Sequence, residues 1–233
     1  MEHILYEGFV VIATVLLGVT VLRAEKDPRC DETWPRLGTP RTERELRRLL
    51  TRLWEEHLAY SRSFFISFLS SLEDAGALSA RLGKSFRDTG NVLKPYYGEE
   101  AAERLTALLT THRESALPIL KAAKARNARA LDEAFSAWEA NADETAAFLH
   151  GLNKYWAEED LKGLLRAHMA AARDTIAARV KWNWDDDIDA YDRGHTCALD
   201  LADYLTDGIV AQFPERFIPD KAQSRKAPSQ VRR

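Results

Sequence analysis

A pattern of Leu-x-x-Leu-(Trp or Leu)-x-x-His occurs three times in this chain, at Leu50 to His57, Leu105 to His112 and Leu161 to His168. The histidines lie 55 and 56 residues apart, and in each copy the apolar residues precede the histidine by seven, four and three positions. Those offsets share one face of an α-helix. A fixed period of this size predicts three copies of one helical hairpin, each carrying an imidazole on its inward face.

A second, weaker echo follows each histidine. It consists of a small polar residue, an acid three positions on, and a packing or turning residue five positions later: Ser85, Asp88 and Leu93; Asn141, Glu144 and Leu149; Asp200, Asp203 and Gly208. The offsets from histidine to acid are 31, 32 and 35. Turn-forming or aromatic residues come next each time, as Tyr96-Tyr97-Gly98, Asn153-Lys154-Tyr155-Trp156 and Phe213-Pro214. Each unit therefore reads as a helix with His, a turn, and a helix with an acid. The third copy rests on Asp203 alone.

The predicted fold class is all-α, a bundle of about six helices in three pseudo-repeated hairpins, with an N-terminal membrane segment. At 45% hydrophobic and 30% charged residues, the composition supports one core over about 170 residues. The bundle is expected over residues 43–217, and no stretch shows a strand pattern. Thr42-Glu43-Arg44-Glu45 is a capping box that starts the first helix, which is predicted to run to about Leu72. Further helices are predicted at roughly 77–94, 99–126, 128–150, 157–180 and 187–212, separated by Pro, Gly and Asn residues. Pro118, six residues past His112, is expected to kink its helix and free a backbone carbonyl near that histidine. The run Asp185-Asp186-Asp187-x-Asp189 suits the N-terminal turn of the last helix, where carboxylates meet the positive end of the dipole.

The ends differ from the middle. Residues 4–22 are apolar except for Glu7, and 19 helical residues span ~28 Å, close to the hydrocarbon thickness of a bilayer. Residues 1–23 are read as a membrane anchor, with a signal-like segment as the alternative. Residues 24–42, with Pro28, Pro35, Gly38 and Pro40, form a linker. The basic residues Arg23, Lys26 and Arg29 after the apolar stretch place the domain on the cytoplasmic side; cleavage of a signal would place it outside. Residues 218–233 are a basic tail expected to lack order, suited either to contact with anionic lipid or to solubility alone.

Several function classes are disfavoured. The net charge of −3 leaves no footprint for nucleic acid. Two cysteines, Cys30 and Cys197, make neither a disulfide framework nor a thiolate metal site. No Ser or Cys sits in a context that would activate it as a nucleophile. Neutral imidazole is the commonest metal ligand, and carboxylates from facing helices complete many bundle sites. The candidate ligands are therefore His57, His112 and His168, with Asp88, Glu144 and Asp203 as partners and His195 as a fourth imidazole. The expected ion is divalent: iron, manganese or zinc. The competing interpretation pairs each buried histidine with an acid on the neighbouring helix, with no metal.

The stretches Leu53-Trp54-x-x-His57-x-x-x-x-Arg62, Tyr96-Tyr97-Gly98, Trp138-x-x-Asn141-Ala142-x-x-x-Ala146-x-Phe148-Leu149 and Tyr191-Asp192-x-x-His195 resemble a widespread bacterial all-helical family. So does the close of the domain, Ala202-Asp203-x-Leu205-x-x-Gly208-Ile209-x-x-Gln212-Phe213-Pro214-x-x-Phe217. The resemblance covers roughly residues 46–217 and implies a compact helical bundle, sometimes exported, without an assigned activity. Family members carry an Asn-Gln pair before the acid of the first hairpin, where this chain has Ser85-Phe86.

Three functions remain open on sequence. The first is a membrane-tethered domain that binds a metal ion or small ligand through inward-facing histidines and carboxylates. The second is a non-catalytic interaction module with structural histidines, and the third an iron or manganese oxidoreductase.

Overall fold

The computed structural model of the chain describes residues 39–218. Its helices are α1 (Glu43–Leu69), α2 (Ala75–Tyr97), α3 (Glu99–Lys124), α4 (Ala128–Leu152), α5 (Glu158–Lys181) and α6 (Trp184–Gln212), and a 3-10 turn, Pro214–Arg216, closes the domain. No strand occurs among the described residues. The segments expected to be anchor, linker up to residue 38 and basic tail from residue 219 lie outside the described residues. Among those described, no helix is long and apolar enough to cross a membrane.

Local chemistry sets most helix boundaries. The capping box forms, with the Glu45 amide donating to Thr42 Oγ1 at 3.1 Å and the Thr42 amide donating to the Glu45 carboxylate at 3.2 Å. Asn127 and Asn183 cap α4 and α6 through their side-chain oxygens. Because Asn183 is the cap, α6 starts at Trp184, three residues earlier than the sequence predicts, and the acids 185–187 fill its first turn. Conversely α1 stops at Leu69 and not at Leu72. Ser71 turns to a φ of 57°, and Lys124 holds that turn by donating to the Phe68 carbonyl at 2.9 Å and to Ser71 Oγ at 2.5 Å.

Two prolines lie inside helices: Pro95, where the sequence suggested a break, and Pro118, where it suggested a kink within one helix. Helix α2 runs through Pro95 to Tyr97 and ends where Gly98 adopts a φ of 88°. Helix α3 runs through Pro118 to Lys124. Each proline forfeits one backbone hydrogen bond to the carbonyl four residues earlier, and packing of the flanking turns offsets the loss: Ile119 and Leu120 beside Pro118 are fully buried.

Short turns reverse the chain at each step, and successive helices pack in a closed ring from α1 round to α6 and back to α1. Helices α1, α3 and α5 also touch one another across the middle. That inner trio carries the Leu-x-x-Leu repeat, whose residues Leu50, Leu53, Leu105, Leu108, Leu161 and Leu165 are buried. The three hairpins therefore share one core.

The residues that followed each acid in the repeat meet at one end of the bundle. Tyr97 lies 5.7 Å from Trp156 and 5.3 Å from Phe213, ring centre to ring centre, and Tyr96 stacks on Phe217 at 5.9 Å. Asn153 donates to the Tyr97 hydroxyl at 2.8 Å, and Arg216 donates to the Pro95 carbonyl at 2.6 Å. Trp156 is fully buried there and donates from Nε1 to the Tyr204 carbonyl at 3.2 Å. This packing explains Gly208: a Cβ at that position would lie 1.9 Å from Trp156 Nε1 and 2.3 Å from Cδ1. Gly208→Ala is accordingly expected to lower stability by about 3 kcal/mol, since the indole has nowhere to retreat. Urea unfolding monitored by circular dichroism checks this, and a loss below about 0.5 kcal/mol, the range of ordinary surface substitutions, would contradict it.

Candidate metal centre

Each Leu-x-x-Leu face ends in a histidine, and because the inner helices are registered alike, the three histidines arrive at one depth. His57 of α1, His112 of α3 and His168 of α5 each offer a ring nitrogen, and these three atoms all lie within 4.8 Å of one another. His57 and His168 are closest, with Nε2 to Nε2 at 3.2 Å. Two neutral imidazoles in that contact must hold opposite tautomers, one donating and one accepting. The ring centroids of His112 lie 6.4 Å from those of His57 and 6.3 Å from those of His168.

The surroundings are carbon-rich. Trp54 stands edge-on to His57 at 5.7 Å, Phe86 lies 5.2 Å from His57, and Trp138 covers His112 at 4.7 Å. Trp138 also donates to the His112 backbone carbonyl at 2.9 Å, and Asn141 donates to the Leu108 carbonyl at 3.2 Å, which ties α4 to the histidine-bearing turn of α3. Burial holds all three imidazoles in the neutral form. It lowers His112 to about 3, helped by the nearby His168 and opposed by Asn141, and lowers His168 to about 4. His57 is pushed well below its ordinary value by burial and then by His168 and His112. A cavity of about 40 Å³ reaches the three histidines and is walled mainly by apolar residues such as Phe65, Leu82, Phe86 and Ala171. A cavity needs roughly 10–15 Å³ to hold one water, so this one has room for at least one water-sized occupant.

The structure brings the histidines together and leaves the other predicted groups elsewhere. Glu144 pairs with Arg104 on the surface. Asp203 accepts from Arg47 at 2.6 Å, and Arg47 also reaches Asp207 and Glu43. Asp88 is half-buried near Lys84 and Arg81, its carboxyl raised by burial. His195 lies beside Glu55 at 3.4 Å and stacks on Tyr191. Neither the six-ligand site nor the paired arrangement of one histidine with one acid forms. The reason is geometric: the acids fall at the edge of each outer helix's buried stripe, where Glu144 and Asp203 reach water and an arginine and Asp88 is only half-buried. Of the buried residues near those acids, Phe86 of α2 lies against His57 and Asn141 of α4 lies beside His112.

One cluster beside the cavity was not legible in the sequence. Asp187, 1% exposed, accepts on Oδ2 from Arg62 at 2.8 Å and from Arg179 at 3.1 Å. Arg62 also lies over the Tyr191 ring at 4.9 Å. Its position five residues after His57 in the resemblance motif was the available signal, whereas Asp187 is indistinguishable in sequence from its acidic neighbours.

Three imidazoles with converging nitrogens, those of His57 and His168 buried and that of His112 partly so, can hold a metal ion. No protein-family model matches the chain, and neither a curated protein nor a solved structure matches it.

Proposed function

We propose that the domain binds a transition-metal ion through His57, His112 and His168. The observation that carries this is their convergence: nitrogens from three helices lie within 4.8 Å of one another in a carbon-lined core, with no acid among the described residues paired with any of them. The separation of His57 Nε2 and His168 Nε2, 3.2 Å, is close to the edge of a tetrahedral zinc site, about 3.3–3.4 Å for zinc–nitrogen bonds of about 2.0–2.1 Å.

The donor set narrows the ion. Imidazole suits zinc, copper, iron and nickel, while manganese prefers carboxylate and water. Zinc is therefore the ion we favour, with iron(II) next and manganese, the remaining candidate from sequence, last. In this proposal residues 4–22 tether the domain to a membrane, on the evidence of sequence alone. The resemblance to the bacterial helical family likewise stands as a proposal.

The test is zinc binding by the untagged full-length chain, read by elemental analysis after equilibrium dialysis and by thermal unfolding. One zinc per chain is expected, with stabilisation of about 2.7 kcal/mol at a hundredfold excess over the dissociation constant. His112→Gln should lose most of it. Substoichiometric zinc, or zinc bound equally well by His112→Gln, would leave the interaction module with structural histidines as the better account.

A further inference from the structure

The cavity that reaches the three histidines has an uneven charge. Its lining includes two charged side chains, Arg62 and Arg113, and no acid. Arg62 shares the single carboxylate of Asp187 with Arg179, so that cluster retains net positive charge. Arg113 donates from Nη1 to the Ser79 carbonyl at 3.0 Å, and its nearest acid is the exposed Glu114 at 3.6 Å. With five N–H donors on a guanidinium, Arg113 has capacity to spare.

The ligand set itself adds no negative charge. A divalent ion held by three neutral imidazoles keeps its full charge, and an uncompensated charge in a carbon-lined space carries a large desolvation penalty. No acid among the described residues lines the cavity, so the compensating charge is drawn from an anion in solution. The cavity's small volume, about 40 Å³, favours a compact anion over a bulky one.

We infer that this cavity is an anion site: a small monovalent anion, of the class of azide, cyanate or thiocyanate, binds beside the three histidines at the metal, with Arg113 and Arg62 favouring its charge from the wall. This rests on the metal reading above. Tetrahedral oxyanions such as sulfate and phosphate are bulkier, and the small cavity disfavours them.

Cobalt(II) serves as the probe because its visible spectrum reports changes in coordination. The full-length chain is loaded with cobalt and titrated with sodium azide, and in parallel with sulfate and phosphate at matched ionic strength. A saturable change with azide and none with the tetrahedral anions is expected. Arg113→Gln should bind cobalt as wild type does but azide at least about fivefold more weakly, through the charge lost from the cavity wall, and Arg113→Lys should recover most of the affinity. Unchanged cobalt binding in Arg113→Gln is the control for folding. Failure of cobalt to bind would overturn the metal reading and the anion site with it. Cobalt binding with an azide-insensitive spectrum, or azide affinity indifferent to Arg113→Gln, would overturn the anion site alone.

Discussion

Lowering the pH from 7 to 5 is expected to remove about 6 kcal/mol of stability from the metal-free domain, enough to unfold many domains whose total is about 5–15 kcal/mol. The imidazoles of His57, His112 and His168 are held neutral in the folded state by burial, His112 down to about 3 and His168 to about 4. In the unfolded chain each takes up a proton near its ordinary value of about 6.5. Below that value the unfolded state binds more protons than the folded one, so acid favours unfolding; the contribution of neutral histidines is intact above about 6.5 and is lost as pH falls towards the folded values. Each histidine removes up to about 1.4 kcal/mol per pH unit in that window, and three act together.

Urea midpoints at several pH values between 7 and 5 measure this slope. His168→Gln should reduce it by about a third, since one titrating group is gone. A stability that stays flat over the window would mean that the imidazoles take up protons in place, and the cluster would then be open to water. Zinc should extend stability to lower pH, because protons must displace the ion before they reach the ring nitrogens.

Removing the carboxylate of Asp187 is expected to cost about 3–5 kcal/mol, the range for breaking a buried ion pair from one side. Two guanidinium groups converge on Oδ2 of this side chain, which is 1% exposed, while Arg62 and Arg179 are only partly exposed. Asp187→Asn keeps the shape and leaves both cations without a counter-charge. Because Arg62 lines the cavity beside the histidines, the same substitution should loosen that wall. Replacing all three residues by apolar ones of similar volume should restore most of the loss, since buried ion pairs are often neutral relative to well-packed carbon. Chemical denaturation of the single and triple variants checks both halves. A loss below about 1 kcal/mol for Asp187→Asn would show that the pair behaves like an exposed one.

Why the histidines were legible and their supposed partners were not follows from where each lies on its helix. His57, His112 and His168 sit in the middle of an apolar stripe, three positions after its last leucine or tryptophan. A residue so placed faces inward for any plausible rotation of the helix. Asp88, Glu144 and Asp203 sit at a stripe's edge, where a modest rotation decides between core and rim. All three were expected beside the histidines; Glu144 and Asp203 pair with arginines at the surface, and Asp88 is half-buried near Lys84 and Arg81.

Helix count, the hairpin order, the capping box at Thr42 and the depth of the three imidazoles were determined by the sequence itself, because they depend on interactions within one or two turns and on a repeat of nearly constant length. The tertiary structure decided what depends on groups far apart in the chain. It joined the tails of the three repeats into the aromatic cluster around Trp156, set Gly208 against that indole, and chose Asp187 from a run of acids to meet Arg62 and Arg179. It also left the cavity beside the histidines with arginines and no acid on its wall. A helical period states which face of a helix is apolar, but which residue of a neighbouring helix it meets is settled only when all six pack at once.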